Sequence, residues 1–480
     1  MFAPVDERIV FQEGTASGKG RYVLYWMQQA QRLHFNPALQ YAATRANQMN
    51  TSLLVAFVIM DCIPAAEAEH YRFMLEGLRD MLIESPKLGL DFRIYGGDAV
   101  DIISALGHDA CLVVMDHGCL AWQKALRQSV KDCLSCTLVT EIDTETVVPV
   151  HIASDKEEYS AATLRTKLLR VLPEYLVFDD PPLPELPRAD CGIRDAQCFK
   201  GEPVSTDELF QFASERIGLG AGNRRYPLIG GYTEAKRHLR VFAETKLAFY
   251  SLYRNHPEKD YQSEMSPYLH FGQISPLDII HSLFPEHDAY ALRAILKGRK
   301  ALNDASRNMA DYLEELIVRR ELSWNFCTYN EDYDSFACLP GWAKASLLNH
   351  IHDPRDKHYS LEVLENAETE DEYWNAAQRQ MLSRGKMHNY MRMYWGKRVL
   401  AWFDSVEEAY ELLLYLNDKY SLDGRDANSY AGVAWCFGKH DRPWAERPIY
   451  GMIRYMNDNG LQRKFDMQAY ISKVASEEPR

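Results

Sequence analysis

The sequence lacks the features that mark a membrane, secreted or nucleic-acid-coating protein. It contains no run of about 18 uninterrupted apolar residues, so a transmembrane helix is not predicted. Residues 1–20 carry acidic residues and glycines in place of the basic and then apolar pattern of a signal peptide. The net charge is −14, which argues against non-specific coating of nucleic acid. We therefore expect a soluble intracellular protein that binds no membrane.

A cysteine framework is also missing, although the chain has ten cysteines. Cys133 and Cys136 form one C-x-x-C pair, but no second pair stands at zinc-finger spacing. Cys191 and Cys198 lie in a proline-rich stretch. We interpret the cysteines as free thiols in a reducing cytosol and predict no metal site, with a metal or iron–sulfur site as the alternative.

The N-terminal third alternates short strands with helices. Strands are predicted where short segments are apolar and rich in β-branched or aromatic residues, at 21–26, 52–60, 91–95 and 111–115. Helical patterns lie between them at 37–49, 66–82 and 98–106, and Asp98 is the expected N-cap of the last one. Short apolar strands separated by helices predict a parallel, doubly wound sheet covered on both faces.

A proline-rich stretch then separates this α/β region from a helical one. Prolines stand at 173, 181, 182, 184, 187 and 203. Beyond them the strand signal ends, and helices are predicted at 206–217, 232–252, 308–326, 372–383, 389–403 and 406–416. We expect an α/β domain over 20–172, a linker over 173–205 and an all-helical domain over 206–480.

The segment 372–403 has an unusual content of aromatic and basic residues. Trp395 and Trp402 are seven residues apart, which would place them on one face of a helix, and Trp374 precedes them. From 373 to 403 the chain has six Lys and Arg residues and no acidic residue, so a local basic surface can exist on an acidic protein. The tryptophans form either an aromatic core or a chain that passes electrons to a buried redox centre.

Arg392 lies among methionines and aromatic residues, where a guanidinium is costly unless it is paired. Asp423, in a later loop, is the candidate partner. The pair is either a plain salt bridge between a helix and a loop, or a cation held beside a flavin to stabilise negative charge on the reduced ring.

Two further segments have polar groups whose roles stay open at this point. The hydroxyl-rich turn at 263–268 suits either a pyrophosphate or an ordinary helix cap. Glu314 and Glu315 fall inside an apolar helical pattern, so one of them should face inward. That glutamate would either pair with Arg319 or Arg320 or act as a proton or hydrogen-bond donor with a raised pKa.

Aromatic residues alternate with arginines near the C-terminus, a composition that can stack on bases and hold phosphates. The residues are Tyr430, Trp435, Phe437, Arg442, Trp444 and Arg447. This signal is weak when it is taken alone.

Six sequence blocks together closely resemble class II cyclobutane pyrimidine dimer photolyases. They are SPYLHFGQISP (266–276), EELIVRREL (314–322), WNAAQ (374–378), GKMHNYMRMYWGKR (385–398), NDKYSLDGRDANSYAGVAWCFGKHDRPWAERPIYG (417–451) and IRYMN (453–457). The resemblance runs in order from about residue 20 to residue 472, and the long C-terminal blocks make it specific.

The resemblance implies the photolyase/cryptochrome fold, with a Rossmann-like antenna domain before an all-helical domain that binds FAD. It also implies a deoxyribodipyrimidine photo-lyase, in which light excites fully reduced anionic FAD and an electron splits a flipped-out pyrimidine dimer in UV-damaged DNA. An antenna chromophore such as a deazaflavin can accompany FAD, and its identity stays open. The expected protein is a monomer without an obligate protein partner, cytoplasmic or nucleoid-associated, or nuclear in a eukaryote.

The resemblance further implies a role for each matching residue. Contacts to the FAD phosphates and ribityl chain fall to Tyr250, Ser263, Met265 and Ser266. Residues near the flavin ring are Asn389, Arg392 with its partner Asp423, and Asn417 beside N5. Arg425 is a further residue expected to bind the cofactor. The dimer would contact Glu315, Met393 and Trp435. The photoreduction chain would consist of Trp374, Trp395 and Trp402, with the last two on one helix.

A cryptochrome-like blue-light photoreceptor without repair activity is the main alternative, because one fold can host both functions. Such sensors often carry long disordered C-terminal tails, whereas this chain ends soon after its last matched segment. A nucleic-acid-binding relic that has lost its cofactor is a third alternative. The presence of Arg392, Asp423 and Asn417 together argues against that relic.

Overall fold

The fold is taken from a computed structural model of the chain, and only part of the chain is described. The described residues are 5–16, 20–61, 63–134, 137–176, 180–187, 190–193, 198–201, 205–220, 222, 226–298 and 303–477. Cys136 and Pro203, which the sequence analysis singled out, lie outside these ranges.

The N-terminal region contains a sheet of six strands. They are β1 (Ile9–Glu13), β2 (Tyr22–Met27), β3 (Ser52–Ile59), β4 (Asp91–Gly96), β5 (Ala110–Asp116) and β6 (Leu138–Ile142). Their spatial order is β1-β6-β5-β2-β3-β4, and every neighbouring pair is parallel except β1 with β6. The central strands β2, β3 and β5 are buried along their whole length, as a sheet covered on both faces requires.

Helices cover this sheet on both faces. They are α1 (Pro37–Gln48), α2 (Ala68–Glu84), α3 (Ala99–His108), α4 (Ala121–Cys133), α5 (Val150–Ala153) and α6 (Ala161–Tyr175). The predicted strands and helices up to residue 116 are confirmed, and Asp98 caps α3 by accepting a hydrogen bond from the Asp101 amide at 2.9 Å. The fold class is therefore confirmed for this half of the chain.

Two strands were not predicted. β1 lies within the first 20 residues, and its alternating half-buried and exposed residues give a weak apolar signal. β6 is only five residues long and contains a buried glutamate, Glu141. Both occupy one side of the sheet, where an edge strand needs less apolar sequence than a central one.

The rest of the described chain is helical. Its α-helices are α7 (Thr206–Ile217), α8 (Tyr232–Thr245), α9 (Tyr250–Tyr253), α10 (Ser266–His270), α11 (Pro276–Leu283), α12 (Ala289–Lys297), α13 (Asp304–Leu313), α14 (Arg320–Tyr329), α15 (Gly341–Asn349), α16 (Leu361–Glu365), α17 (Glu372–Arg384), α18 (Asn389–Val399), α19 (Val406–Tyr420), α20 (Ala427–Cys436), α21 (Asp458–Gln462) and α22 (Met467–Glu477). A π-helical segment, Glu314–Arg319, joins α13 to α14.

The helix expected over 308–326 is confirmed, and its middle part is the π-helical segment. Two other expectations about element boundaries were wrong. Pro173 lies inside α6, so the extended segment begins later than residue 173. The helix expected to carry both Trp395 and Trp402 ends at Val399, because the amides of Ala401 and Trp402 bond to carbonyls three residues back and tighten the chain into a turn.

A buried ionic cluster joins the two regions. Arg32, which follows β2, donates to Glu145 at 2.8 Å and to the carbonyl of Gly272 at 3.0 Å. Arg320 of α14 approaches the same Glu145 carboxylate at 3.4 Å. Since burial of an unpaired charge costs several kcal/mol, these pairs tie the α/β and helical regions in one arrangement.

Within the described ranges, no helix combines the length and apolarity that crossing a membrane requires. No group of three or more His, Cys, Asp or Glu side chains suited to a metal ion occurs among the residues the structure describes. The described cysteines are free thiols, and most of them are buried.

Gly272 provides a test of the contact between the regions. It has a φ of +63°, and a Cβ there would lie 1.7 Å from the carbonyl oxygen of Gln29. Gly272→Ala should lower the free energy of unfolding by about 2–4 kcal/mol, from left-handed strain and overpacking together.

The control is Gly432→Ala, in the interior of α20, where an added Cβ meets nothing within 4 Å. That change should leave the thermal unfolding midpoint unchanged or raise it, because alanine is the better helix former. Equal midpoints for the Gly272→Ala variant and the parent protein would contradict this account of the contact.

Candidate functional site

A single polar cavity, here called the central cavity, lies in the helical region. Its walls come from the segment before α10, the π-helical segment, α18 and the loop after α19. Of the residues that the sequence analysis assigned to a cofactor or substrate, eight line it: Tyr250, Ser263, Met265, Ser266, Glu315, Asn389, Arg392 and Asp423. These residues are up to about 170 positions apart in the sequence, so the fold brings the predicted site together.

The Arg392–Asp423 pair predicted from the sequence is present in this wall. The Arg392 guanidinium donates to Asp423 Oδ1 at 3.2 Å and to the Ser421 hydroxyl at 3.2 Å. Ser421 in turn donates to Asp423 at 2.6 Å. Burial alone would raise the pKa of Asp423, but Arg392 and Lys386 hold it below its ordinary value, so the carboxyl stays ionised.

Asn417 supports this pair from behind the cavity wall. Its side-chain oxygen accepts a hydrogen bond from Arg392 at 2.6 Å, and its amide group donates to Asp418 at 3.1 Å. The residue is only 2% exposed. Asn417 therefore orients the arginine, and the lining of the cavity is formed by Arg392 and Asn389.

The two adjacent glutamates point to different surroundings. Glu314 is buried and forms a two-point ion pair with Arg165 of α6, with nitrogen–oxygen distances of 2.9 and 2.5 Å. Glu315 faces the central cavity and accepts from Arg254 at 2.8 Å. The inward glutamate predicted from the sequence is thus Glu314, and Arg165 was not foreseen as its partner because it lies in the α/β region.

The π-helical segment explains how adjacent glutamates can serve two sites. A π-helix adds a residue to the turn and shifts the side chains that follow, and such segments are frequent at functional sites. Glu315 and Arg319, both within this segment, line the central cavity, and Arg320 directly follows it.

The three tryptophans of the predicted chain are in contact and buried. The Trp374 and Trp395 ring centres are 6.1 Å apart with nearly parallel planes, and Trp374 meets Trp402 edge-on at 5.3 Å. Trp395 lies one helical turn after Arg392 on α18, so it is the member next to the central cavity. The order outward is therefore Trp395, Trp374 and Trp402.

The outer end of this chain reaches the protein surface. The Trp402 ring packs edge-on against Tyr359 at 5.0 Å, and the Arg398 guanidinium lies 5.4 Å from its centre. All three residues line a surface depression.

Two of the three residues expected beside the substrate, Met393 and Trp435, do not line the central cavity. Trp435 lies on α20, with the guanidinium of Arg319 5.0 Å from its ring centre. Met393 is half-buried on α18. Since Arg319 belongs to the cavity wall, Trp435 stands at the margin of the cavity and not within it.

Arg425 was expected beside the flavin but lies elsewhere. It lines a second cavity, here called the sheet-edge cavity, which is formed at the carboxyl ends of β2 and β3 and closed by residues of the helical region. Its apolar wall includes Met27, Phe57, Met60, Met74 and Phe271.

The sheet-edge cavity contains several buried polar atoms without a hydrogen-bond partner in the described part of the chain. They are the side-chain oxygens of Gln28, Gln29 and Gln31, the indole nitrogen of Trp122 and one guanidinium nitrogen of Arg425. Buried polar groups are normally satisfied. These atoms could not be brought together from the sequence, because they come from both regions of the chain.

Lys386 is a further functional residue that the sequence analysis did not single out. It lines the central cavity, is 8% exposed and has a pKa lowered by burial. Its neighbouring carboxylates, of Glu264 and Asp423, pair instead with Arg384 and Arg392. The signal that could have identified it in the sequence was its position six residues before Arg392, in a segment without acidic residues.

The residues of the central cavity fit FAD. A buried ammonium group without a paired carboxylate, beside the hydroxyls of Ser263 and Ser266, suits a diphosphate. The fixed guanidinium of Arg392 suits a ring that gains negative charge. FAD would be held by Lys386, Ser263 and Ser266 at its diphosphate and by Asn389 and Arg392 at its ring.

An exposed aromatic and basic surface lies near the C-terminus. The Trp444 ring, 42% exposed, has the guanidinium of Arg442 at 5.5 Å and that of Arg454 at 5.4 Å. Arg447 lies 5.1 Å from the ring of Tyr455. This cluster lies outside the segment 373–403 for which a basic surface was predicted, so that prediction stays untested.

Comparisons with known proteins agree with this geometry. The DNA photolyase family model matches residues 23–188. The deoxyribodipyrimidine photo-lyase of Methanothermobacter thermautotrophicus is 42% identical over 464 residues, which are 95% of each protein. That of Arabidopsis thaliana is 38% identical over 95% of this chain and 89% of its own length.

A solved structure supports the fold independently of sequence. The Synechocystis cryptochrome superposes with a TM-score of 0.68 at 13% identity, over 94% of this chain and 88% of its own. At that identity the likeness bears on the fold alone. The relatives at 38–42% identity over nearly the full length establish the membership, and the chain belongs to the DNA photolyase family.

Proposed function

We propose that the protein is a light-dependent deoxyribodipyrimidine photo-lyase that repairs cyclobutane pyrimidine dimers in DNA. The central cavity carries this proposal, because it combines a buried unpaired lysine, an Arg392–Asp423 pair and a cavity-facing Glu315. Nearly full-length relatives that bear the same name support it. The resemblance of the six sequence blocks supports assigning it to class II.

FAD in its fully reduced anionic form would supply the chemistry: on absorbing light it gives an electron to the dimer and takes it back after the ring splits. Arg392 is positioned to stabilise the negative charge of that form, since Asp423, Ser421 and Asn417 hold its guanidinium in place. A preorganised cation needs no reorganisation during electron transfer.

Glu315 would hold the dimer by the edge of its bases. Arg254 donates to Oε1 of Glu315 and fixes the carboxyl group at the cavity wall, where it would meet the substrate. Charge that develops on the base during electron transfer is then met by a preorganised hydrogen-bonding group. Trp435 and Met393 at the margin of the cavity would pack against the apolar face of the dimer.

The surface cluster around Trp444 would bind the DNA that carries the dimer. An aromatic ring between two arginines can stack on a base while the guanidinium groups contact phosphates. A dimer pairs and stacks poorly, so flipping it out of the duplex costs less than flipping normal bases. Because phosphate contacts release counterions, binding should weaken as salt increases.

The sheet-edge cavity would hold an antenna chromophore. Its apolar wall accepts a planar aromatic ring, and the free polar atoms of Gln28, Gln29 and Arg425 provide acceptors and a donor for its edges. A deazaflavin has this combination of a flat ring and polar edges. We further propose a monomer, located with the DNA of the cell in the cytoplasm, the nucleoid or a eukaryotic nucleus.

A cryptochrome-like photoreceptor is the second candidate, favoured by the structural likeness to a cryptochrome. Both functions would use FAD and the tryptophan chain. They differ in whether dimers in DNA are split, which a repair assay decides.

The first prediction concerns repair itself. The purified protein, with FAD bound and chemically reduced, should convert thymine dimers in an oligonucleotide to thymines under blue or near-UV light, measured by chromatography. Without light the same mixture should give no repair. Equal repair in darkness would contradict the mechanism, and FAD binding without repair in light would favour the photoreceptor.

The second prediction concerns the tryptophan chain. Trp374→Phe should lower the rate at which light reduces oxidised bound FAD by at least about tenfold, because it replaces the indole between Trp395 and Trp402 with a phenyl ring that is much harder to oxidise. Repair by chemically reduced enzyme should persist. Trp342→Phe, outside the chain, is the control and should photoreduce like the parent. Loss of repair in the reduced Trp374→Phe variant would show that this ring serves the dimer and not photoreduction.

The third prediction separates the adjacent glutamates. Glu315→Ala should lower the repair yield per absorbed photon while FAD stays bound and the thermal unfolding midpoint changes little. Glu314→Ala should instead lower stability by about 3–5 kcal/mol, because it leaves Arg165 without its buried partner. An unchanged yield in Glu315→Ala would assign that residue a structural role.

A further inference from the structure

Asp418 is a buried carboxylate that neither borders the central cavity nor forms a conventional ion pair. It lies in the last turn of α19 and is 8% exposed. One oxygen, Oδ1, accepts from the side-chain amide of Asn417 at 3.1 Å and from the backbone amide of Arg425 at 2.8 Å. The Arg425 guanidinium donates to the backbone carbonyl of Asp418.

These bonds fix which way the Asn417 amide points. Its oxygen faces the guanidinium of Arg392, and its NH₂ group faces the carboxylate of Asp418. The reverse orientation would set the NH₂ group against a cation and the oxygen against an anion, losing two charge-assisted hydrogen bonds. Without Asp418, only the bond to Arg392 would oppose rotation of the amide.

The backbone around Asp418 is also closely fitted. At Gly424, an added Cβ would lie 2.8 Å from the Asn417 carbonyl oxygen and 2.9 Å from the Asp418 Cα. Arg425, the next residue, has a φ of +58°, which is strained for a side chain other than glycine. The loop that carries Asp423 therefore closes tightly on the end of α19, and the Asp418 carboxylate joins the two.

We propose that Asp418 is a positioning residue that sets the orientation of the Asn417 amide and, through it, the guanidinium of Arg392 in the central cavity. The inference rests on the proposed function, because its effect is read on FAD bound in that cavity. A change in the dipole or cation facing the ring alters the relative stability of the oxidised and reduced forms. The midpoint potential of bound FAD therefore reports the role of Asp418.

Two substitutions separate positioning from mere packing. Asp418→Leu fills the space but accepts no hydrogen bond, so the Asn417 amide is released. Asp418→Asn keeps an acceptor oxygen for Asn417 and Arg425. We expect Asp418→Leu to change the equilibrium constant for two-electron reduction of bound FAD at least tenfold, which is about 30 mV. Asp418→Asn should change it less than threefold.

The control removes another buried aspartate. Asp278 of α11 is 1% exposed and pairs with Lys236 at 2.7 Å, outside the central cavity. Asp278→Leu should lower the thermal unfolding midpoint but leave the potential of the bound FAD unchanged. If the role of Asp418 were purely structural, Asp418→Leu would likewise lower the thermal unfolding midpoint and leave the potential of the bound FAD unchanged.

Each outcome of the potential measurement either supports or overturns the role proposed for Asp418. An Asp418→Leu protein that binds FAD with the parent's potential overturns the inference. If that variant does not accumulate with FAD, Asp418→Ser, whose short hydroxyl cannot reach both donors, is measured in its place and judged by the same criterion. A parent protein that binds no FAD would overturn the proposed function, a failure distinct from that of this inference.

Discussion

The guanidinium of Arg392 is held by three polar groups, and the central cavity is built around that arrangement. Asn417, Ser421 and Asp423 all lie within one helix end and the loop after it, so a short segment determines where the charge sits. A buried cation is tolerated only when its partners are fixed. The same rigidity makes the cation useful to a bound ring that gains an electron, since no reorganisation is needed.

Lys386 and Glu315 are two further charged residues that line the central cavity. The ammonium group of Lys386 has no paired carboxylate and so remains available to an anion, whereas Glu315 is held at the wall by Arg254. The three tryptophans are in contact, with the Trp374 ring centre 6.1 Å from that of Trp395 and 5.3 Å from that of Trp402. The proposed cofactor cavity, substrate contact and electron path would thus share α18 and its neighbours.

The sequence allowed a good prediction of the elements that repeat a simple pattern. The apolar strands β2, β3 and β5 and the capped helix α3 were found because their periodicity is strong. The edge strand β1 was missed because about half of its residues face solvent. The turn after Val399 was missed because the seven-residue spacing of Trp395 and Trp402 is also the spacing expected on one face of a continuous helix. Asp423 was the candidate partner of Arg392 before any resemblance was considered, and the resemblance supplied the expected place of this pair beside the flavin.

Groups that depend on long-range contacts could not be predicted. Glu314 pairs with Arg165, about 150 residues earlier, and the sheet-edge cavity joins Gln28 to Arg425. A local sequence pattern does not show which residues, far apart in the chain, will be in contact. Lys386 was also missed, although it lies in a segment without acidic residues, because its role follows from its neighbouring carboxylates being engaged by Arg384 and Arg392.

The most direct test of the central claim is a crystal structure of the protein with FAD and an oligonucleotide that contains a thymine dimer. We expect the FAD diphosphate at Lys386 and Ser266, its ring against Arg392, and the flipped-out dimer with its base edge at Glu315. A structure in which side chains fill the central cavity, or in which the dimer lies away from Glu315 and the ring, would contradict the account.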